Sequence, residues 1–355
     1  MIRHSPLKFA YTKLAQRSIF HLKKHQYPNQ EKLLDLQLDP RLLKVATFHH
    51  PRKRLDFIVQ SHSDHYLHPR GWSVSGRKLI RESMYELWLN RKRLDLPSFL
   101  QYIALRLTSK TEKIREPICL SYGAPNFWHF HNDLVYPLLL AHQSGLTNNH
   151  PVIVPSSWRD KPFFISALDN SKTLRSLNWI FQEPDRIMKV SRPIFISSAF
   201  GWPPNLIRAA REVMPSTSIP VSANHSRRLY VTRRGVSREA SNEEEISALL
   251  LSRGFEVVDC SALSLADQAA AFRNAEVIVA LHGASLANLA HVVKPNVHFL
   301  EIIPENWINP CFLWMALHKG MIYSCHISSA SDVTHDGRTN VDLALLDKWL
   351  QKLDR

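Results

Sequence analysis

Apolar strand signals alternate with helix signals without interruption between residues 228 and 327, which leaves few possible folds for this half of the chain. We expect strands at 228–232, 255–259, 277–281, 298–303 and 321–326. Ser241 and Ser264 are candidate N-caps of two connecting helices, because an acid follows each of them three residues later. Further helices are expected to begin near Ala284 and Pro310. Strands joined by short helices predict a parallel, doubly wound sheet.

The first half of the chain is expected to form a second α/β domain, because 355 residues exceed the usual size of a single core. It begins with a small β-rich section at 43–82 and continues with a strand at 117–122, a helix at 127–143 and a strand at 151–155. A proline-rich connection then leads to a boundary near Asn224. The predicted domains are 1–223 and 224–338, and an amphipathic helix within 339–355 is expected to pack back on the first domain.

The chain carries a net charge of +14, so polyanions are expected partners. Its basic clusters are not interleaved with stacking aromatics, and we therefore expect no nucleic-acid partner. The four cysteines form no C-x-x-C pair, which argues against a zinc or redox motif. No apolar stretch is long enough to cross a bilayer and no signal peptide is evident, so a cytoplasmic location is expected.

The segment 11–24 combines apolar side chains with lysines and arginines. One interpretation is an ordinary basic surface helix. The other is an amphipathic helix that binds an anionic membrane, which would place the protein peripherally at the inner face of that membrane.

The expected strand 277–281 runs directly into His282, Gly283, Ala284 and Ser285, where a helix begins. Small residues let a phosphate approach the backbone, while a hydroxyl and a ring nitrogen can donate hydrogen bonds. The pattern is typical of an anion pocket at the carboxyl end of a parallel strand. A tight turn that needs small residues only for packing explains it equally well.

Two further features follow neighbouring strands. Arg233, Arg234 and Arg238 come after the strand 228–232, and their guanidinium groups could bind the same phosphate, although at least one is expected to be a solvated surface arginine. Glu301 lies near the end of the next strand, where a carboxylate could accept hydrogen bonds from ribose hydroxyls or pair with one of those arginines.

The segment 126–133 opens a helix of the first domain and carries candidate catalytic groups. His129 and Asp133 are four residues apart and share a helical face, so either one, supported by the other, could act as a general base. Phe127, Trp128 and Phe130 could stack on a sugar, but core packing is expected for two of the three.

Metal chemistry has little support in the sequence. His62, His65 and His68 repeat every third residue, a spacing that does not gather side chains on one face of a strand or loop. No D-x-D occurs, which removes the usual carboxylate anchor of metal-dependent nucleotide-sugar transferases. We predict no metal site and no cofactor.

The chain resembles glycosyltransferase family 61 over roughly residues 118–304. The resemblance rests on Tyr230 to Arg234, Asn242 with Glu243, Gln268, Phe272, Ala275, the run His282 to Asn288, and Glu301. The block Asn126 to Phe130, followed by Asp133, is similar to a second family motif. Ser285 stands where the family more often has glycine, and the register of Arg238 departs from the pattern.

The resemblance implies a GT-B fold of two facing Rossmann-like domains, inversion at the anomeric carbon and no catalytic metal. It implies a nucleotide-sugar donor, often UDP-linked, and a hydroxyl of a growing or lipid-linked glycan as acceptor, in capsule, exopolysaccharide or lipopolysaccharide synthesis. The donor would be bound by Arg233, Arg238, His282, Gly283, Ala284, Ser285, Asn288 and Glu301. The acceptor would lie beside Asn126, Trp128 and His131, with Asp133 or His129 as catalytic base.

Two alternatives stay open at this point. A polysaccharide pyruvyl transferase has a similar fold and also carries a His-Gly turn. A non-catalytic nucleotide- or carbohydrate-binding relative would keep the same pocket, since a fold does not dictate an activity.

Overall fold

The computed structural model describes residues 11–12, 17–25, 33, 38–49, 54–76, 78–83, 96–108, 113–120, 125–197, 201–214, 227–330 and 337–354. The chain divides into two compact units. The first comprises Met1–His25 and Arg54–Phe200, and the second comprises Gln26–Lys53 and Gly201–Arg355. The domain boundary expected near Asn224 lies outside the described residues. No helix in the described part of the chain is long and apolar enough to cross a lipid bilayer.

The described residues of the first unit form twelve strands in two mixed sheets. They are β1 Tyr11–Thr12, β2 Arg17–His25, β3 Arg54–Ser61, β4 Asp64–Leu67, β5 Ser73–Ser75, β6 Lys78–Ile80, β7 Lys113–Arg115, β8 Ile118–Leu120, β9 Val152–Pro155, β10 Trp179–Gln182, β11 Met188–Ser191 and β12 Ile194–Ser197. One sheet has the order β1-β6-β5-β4-β11-β7, and the other has the order β10-β9-β8-β12-β3-β2. In the second sheet β10, β9, β8 and β12 are parallel, which agrees with the βαβ order expected for 117–155.

The helical segments of the first unit are mostly short. They are Leu96–Thr108, Phe127–His129, Tyr136–Gln143, Pro162–Asn170 and Lys172–Arg175, with a π-helical segment at Phe130–Val135 and 3₁₀ turns at Arg81–Ser83, Leu146–Asn148 and Ser156–Trp158. The helix expected at 127–143 is confirmed, except that its middle is π-helical.

The described residues of the basic N-terminal segment, 11–12 and 17–25, are strands, so both helical interpretations of 11–24 are wrong. Within β2, residues Arg17 to His25 pair antiparallel with β3, from Arg17 opposite Ser61 to His25 opposite Arg54. This pairing satisfies backbone hydrogen-bonding groups across the sheet, and such long-range pairing overrides a local apolar spacing that resembles a helix. The proposed membrane-surface helix therefore loses its structural basis.

The second unit is built on one sheet with the order β14-β13-β15-β16-β17-β18. Its strands are β13 Arg227–Val231, β14 Phe255–Val258, β15 Ala275–Leu281, β16 His298–Pro304, β17 Ile322–Ala330 and β18 Thr339–Asn340. The strands β13 to β17 are all parallel, as predicted, and only β18 is antiparallel to its neighbour. Because they are parallel, the carboxyl ends of β13 to β17 share one edge of the sheet, which we call the carboxyl edge.

The helices of the second unit are Pro40–His49, Pro203–Val213, Glu243–Ser252, Leu265–Arg273, Cys311–His318 and Leu343–Leu353, together with a 3₁₀ segment at Ala284–His291. The final helix buries Leu346 and Leu350 in the same core cluster as Ile246 and Leu250, whereas the sequence interpretation had it packing on the first domain. The helix that follows β18 therefore completes this core cluster.

The two predicted N-caps differ in outcome. Ser264 caps its helix as expected, since its hydroxyl accepts a hydrogen bond from Asp267 N at 3.1 Å. The other helix has Asn242, not Ser241, at its N-cap position. The Asn242 side chain makes no capping bond, because its amide exchanges two hydrogen bonds with the backbone of Val341, at 2.8 and 3.1 Å. This contact joins the start of the helix to the chain after β18.

Candidate functional site

The carboxyl edge of the second unit's sheet carries the predicted anion-binding residues. Residues 232–238 follow β13, the turn 282–285 follows β15, and the loop 305–309 follows β16. Ligands of open parallel sheets bind at this edge because the loops leave space there and the backbone N–H groups that begin helices point outward. The topology therefore brings the two predicted anion-binding features to the same side of the sheet.

Gly283 and Arg233 are in direct contact. Gly283 has extended backbone angles, φ −176° and ψ 169°, which any residue can adopt. A Cβ at this position would lie only 1.7 Å from Arg233 Nη1 and 2.8 Å from Arg233 Cζ. Glycine is therefore needed here for the close approach of a guanidinium group and not for its own conformation.

Arg233 is a largely buried cation. Its Nη2 donates to the Ser237 carbonyl at 2.5 Å, while its buried Nε has no hydrogen-bond partner within the described residues. No carboxylate pairs with it in the described part of the chain. Burial, together with the nearby charge of Arg238, lowers the pKa of Arg233 to about 10, so the group stays charged at neutral pH. A buried charge without a counter-ion is costly, and a bound anion would relieve that cost.

Arg238 and Arg234 have different surroundings. Arg238 adopts φ 61°, in the left-handed region that residues other than glycine rarely occupy, and such backbone conformations cluster at functional sites. Arg234 is exposed, and its Nη2 pairs with Glu244 Oε2 at 3.0 Å. Of the three predicted arginines, Arg234 is therefore the surface residue, and Arg233 and Arg238 are the pair at the carboxyl edge.

Glu243 supports the strand that presents these arginines. Its two carboxylate oxygens accept hydrogen bonds from Tyr230 Oη at 2.7 Å and from Thr232 Oγ1 at 2.6 Å, and Ser247 Oγ adds a third at 3.3 Å. Because Thr232 immediately precedes Arg233, this buried carboxylate positions the start of the arginine loop. In the sequence Glu243 is identified only as part of the family pattern, and no role is predicted for it.

His282 belongs to a buried hydrogen-bond network over three adjacent strands. Its Nδ1 lies 2.5 Å from Glu301 Oε1, and Tyr323 Oη donates to Glu301 Oε2 at 2.7 Å. Burial raises the pKa of Tyr323 well above its usual value, which keeps the phenol protonated and able to donate. A carboxylate only accepts hydrogen bonds, so His282 carries its proton on Nδ1 in this network.

The predicted role of Glu301 is corrected by this network. Glu301 is fully buried, and both of its oxygens are engaged, so it neither reaches a ribose nor pairs with an arginine. It orients the imidazole of His282 instead, as the carboxylate partners of catalytic and metal-binding histidines do in other proteins. Sequence reasoning missed Tyr323, although a glutamate within the apolar strand 298–304 already implies buried donors around it.

The side chain of Asn288 is hydrogen-bonded to other residues of the protein. Its amide donates to Gln268 Oε1 at 2.9 Å and to the Ser285 carbonyl at 3.0 Å. Gln268 in turn donates to the carbonyls of Cys260 and Leu263, at 2.8 and 3.1 Å. Asn288 is buried, and its hydrogen bonds support the turn after β15. Its surroundings do not support the expectation that it contacts the donor.

Ala284 and Ser285 remain partly exposed at the start of the 3₁₀ segment. They precede the first hydrogen bond of that segment, from Leu286 N to the Gly283 carbonyl at 3.0 Å. Backbone N–H groups in such positions have no partner inside the helix and are suited to bind an anion.

The first unit carries the second group of predicted residues. His129 Nδ1 lies 2.6 Å from Asp133 Oδ2, and Asn132 Nδ2 donates to Asp133 Oδ1 at 2.6 Å. Asp133 is buried, whereas the His129 side chain is 20% exposed. The expected His–Asp pair is therefore formed. Its geometry leaves the imidazole, not the carboxylate, as the group that a substrate can reach.

The predicted acceptor residues beside this pair are built into the structure of the helix. Asn126 Oδ1 accepts a hydrogen bond from His129 N at 3.0 Å and so caps the first helical turn. Trp128 and His131 are buried. Burial lowers the pKa of His131 to about 4, and its Nδ1 donates to the Phe127 carbonyl at 2.8 Å. The burial of Trp128 and His131 does not favour direct contact with an acceptor, and the side-chain oxygen of Asn126 is engaged in holding the backbone of His129.

The aromatic residues of this segment divide as expected. Trp128 and Phe130 are buried, and Phe127 is partly exposed with its ring 5.7 Å from that of Phe163. The backbone then widens into the π-helical segment Phe130–Val135, where Tyr136 N donates to the His131 carbonyl five residues earlier. Single π-helical turns within α-helices are frequent at functional sites, and sequence periodicity does not reveal them.

The histidines 62, 65 and 68 do not form a common site. His65 is buried, and its ring nitrogens lie 2.6 Å from Ser61 Oγ and 3.1 Å from Ser73 Oγ. His68 is buried and stacks on Trp72 with ring centroids 4.1 Å apart. Over the described ranges, no three His, Cys, Asp or Glu side chains come close enough together to hold a metal ion.

A cavity of about 400 Å³ lies at the opposite, amino edge of the second unit's sheet. Its lining includes Arg228, Glu276 and Lys294, but these charges are already paired. Lys294 Nζ lies 2.6 Å from Glu276 Oε1, and Arg228 Nη1 lies 2.9 Å from a carboxylate oxygen of Asp354. The size of this cavity alone therefore does not identify it as the ligand site. Arg233, which has no paired carboxylate among the described residues, lies at the other edge.

One model of a known protein family matches the chain. The family model described as Glycosyltransferase 61 matches residues 127–297, a range that begins at the helix bearing His129 and Asp133 and includes Arg233 and Gly283. No curated relative matches the chain. Membership of this family implies sugar transfer, which favours that activity over pyruvyl transfer and over a binding protein without activity. Residues 127–297 therefore form a glycosyltransferase family 61 segment, and the protein is an enzyme that transfers glycosyl groups.

Proposed function

We propose that the second unit binds the diphosphate of a nucleotide-sugar at Arg233, Arg238 and the turn from Gly283 to Ser285. The observation that carries this proposal is the guanidinium of Arg233. It is largely buried against Gly283, and its Nε has no hydrogen-bond partner among the described residues. Guanidinium groups are suited to phosphate because their donors match its oxygens in pairs.

The proposed chemistry is a single displacement. The acceptor hydroxyl oxygen attacks the anomeric carbon, the bond from that carbon to the diphosphate oxygen breaks, and the nucleoside diphosphate leaves with the bonding electrons. The configuration at the anomeric carbon is thereby inverted. Negative charge that develops on the leaving oxygen is stabilised by the preorganised Arg233, Arg238 and backbone N–H groups, the role that a divalent cation has in metal-dependent transferases.

We assign the base to His129. Asp133 holds Nδ1 at 2.6 Å, so Nε2 is the nitrogen that can accept the acceptor's proton. Asp133 then stabilises the imidazolium that forms. The alternative in which Asp133 removes the proton directly is disfavoured because both of its oxygens already accept hydrogen bonds and it is buried.

The finer features rest on the family resemblance. These are a UDP-linked donor, a growing glycan of a capsule, exopolysaccharide or lipopolysaccharide as acceptor, and the GT-B arrangement of the two domains. The absence of D-x-D in the sequence is consistent with transfer that does not need a metal.

The test is a titration of the whole protein with UDP, GDP and CMP, in which binding is measured by calorimetry. We expect one of these nucleotides to bind the wild type. Arg233→Ala should weaken that binding about 10- to 150-fold, the range for hydrogen bonds to charged groups. Arg234→Ala is the matched control, because it removes the same charge from the adjacent, ion-paired residue. Equal affinities of the Arg233 variant and the wild type would refute the phosphate role.

A further inference from the structure

Trp307 is an exposed aromatic side chain at the carboxyl edge. It lies in the loop that follows β16, and 38% of it is exposed. It also lies outside the segment 127–297 that the family model matches, so the family motifs do not account for it. An exposed indole on a loop at the ligand edge of a parallel sheet is a candidate contact for a planar or apolar ligand surface.

The loop that carries Trp307 is held by its own hydrogen bonds. Trp307 N donates to the Pro304 carbonyl at 2.9 Å, which closes a tight turn. Glu305 N donates to the Ser328 carbonyl at 2.9 Å, and Glu305 Oε1 accepts from Ala330 N at 3.2 Å. The turn is thus anchored to the end of β17 on both its backbone and its side chain. The backbone that carries the indole is therefore held in place.

The indole is also close to the proposed phosphate-binding arginines. The guanidinium carbon of Arg238 lies 5.9 Å from the centre of the Trp307 ring, within the range of a cation–π contact. Arg238 is near enough to Arg233 for its charge to lower the pKa of that residue. The aromatic ring is therefore next to Arg238, one of the two proposed phosphate-binding arginines.

We propose that Trp307 is the stacking platform for the base of the nucleoside diphosphate. This inference rests on the proposed function and deepens it, since it names the part of the ligand that Trp307 recognises. Bases stack on aromatic side chains through their π-faces with little dependence on base identity, so Trp307 contributes affinity while other contacts select the base.

The test separates the base from the phosphates. Wild type and Trp307→Ala are titrated with inorganic pyrophosphate and with whichever of UDP, GDP and CMP binds the wild type most tightly. We expect the variant to lose about 5- to 150-fold in nucleotide affinity, the range for base–aromatic stacking, and to bind pyrophosphate like the wild type. Trp307→Phe should retain most of the nucleotide affinity. Leu251→Ala, which truncates an exposed apolar residue of the helix Glu243–Ser252, is the matched control.

The other outcomes each overturn the inference in a recognisable way. Unchanged nucleotide affinity in Trp307→Ala refutes base stacking but leaves the proposed function intact. Equal losses for nucleotide and pyrophosphate mean that Trp307 acts by holding Arg238. If the wild type binds neither ligand, the proposed function itself is wrong, and the inference is wrong with it.

Discussion

Arg233 occupies the space that a side chain on Gly283 would need, with its Nη1 only 1.7 Å from the position of a Cβ. The two residues follow β13 and β15, which are neighbours in the sheet although 50 positions separate them in the sequence. The turn at Gly283 and the proposed phosphate-binding side chain of Arg233 are therefore in direct contact, and a change in either residue should affect the other.

Gly283→Ala should displace the Arg233 guanidinium. The backbone angles of Gly283 suit alanine, and the displaced atoms belong to the end of a flexible side chain, so we expect the free energy of unfolding to change by less than about 1 kcal/mol. Nucleotide affinity should fall about tenfold or more, because a charged hydrogen-bond donor leaves its place. Calorimetric titration and urea unfolding measure the two effects.

The double variant Gly283→Ala with Arg233→Ala provides the control. If the glycine acts through the arginine, the second substitution adds little once the first is present. Fully additive losses of affinity would show that Gly283 contributes by another route.

Asp133→Asn should slow transfer without weakening donor binding. An amide cannot hold His129 with Nδ1 protonated as a carboxylate does, and general-base catalysis contributes about 10²- to 10⁴-fold to a rate. We expect kcat to fall by at least about 100-fold while the nucleotide Kd stays the same. His62→Ala, at an exposed histidine of the same unit, should leave both quantities unchanged. A variant with normal turnover would place the base elsewhere.

Tyr323→Phe tests the network behind His282. The substitution removes the donor that lies 2.7 Å from Glu301 Oε2 and leaves a buried carboxylate oxygen without that hydrogen bond. The expected cost is about 1–3 kcal/mol in the free energy of unfolding. If Glu301 orients His282, donor KM should rise as well, and Leu251→Ala should move neither quantity. Loss of stability with an unaltered KM would limit the network to a structural role.

Acid should destabilise the first unit through buried histidines. Burial lowers the pKa of His65, His68 and His131 to about 4, from 6.5 in the unfolded chain. Between these values the unfolded state binds more protons, so stability is complete above pH 6.5 and decreases as the pH falls towards 4. Each of the three histidines contributes up to about 3 kcal/mol to this loss.

Urea unfolding at pH 7, 5.5 and 4.5 measures this dependence. His65→Gln can retain hydrogen bonds to Ser61 and Ser73 but does not titrate in this range, so its unfolding free energy should depend less on pH. Equal pH dependence in the variant and the wild type would show that other groups control the acid transition.

Local sequence patterns were sufficient for the second unit's sheet. A parallel strand that is buried on both faces has a continuous apolar sequence, which makes it easy to recognise. All five expected strands are present, and each pairs with its neighbours in the sheet. The pattern failed for β2, where pairing with a distant strand decided the conformation. It also failed to reveal the π-helical segment, whose hydrogen bonds leave no periodic signal.

The candidate site was predictable in its location but not in its connections. Parallel topology alone brings Arg233 and the turn at Gly283 to one edge. Which of two consecutive arginines faces the turn depends on how the chain leaves β13, and sequence spacing does not determine that. The sequence predicts a ribose contact for Glu301 by analogy with the acids of dinucleotide folds. It does not reveal the partner Tyr323, because that residue lies on a different strand and partners across strands depend on register.

The amide of Asn288 has a consequence for protein engineering. It donates a hydrogen bond to Gln268, and Gln268 donates to the carbonyls of Cys260 and Leu263. These bonds join the turn after β15 to the loop after β14. These two loops therefore cannot be exchanged one at a time with those of another transferase. A chimera that seeks a new ligand preference at the proposed donor site would have to transplant both loops, together with the residues that couple them.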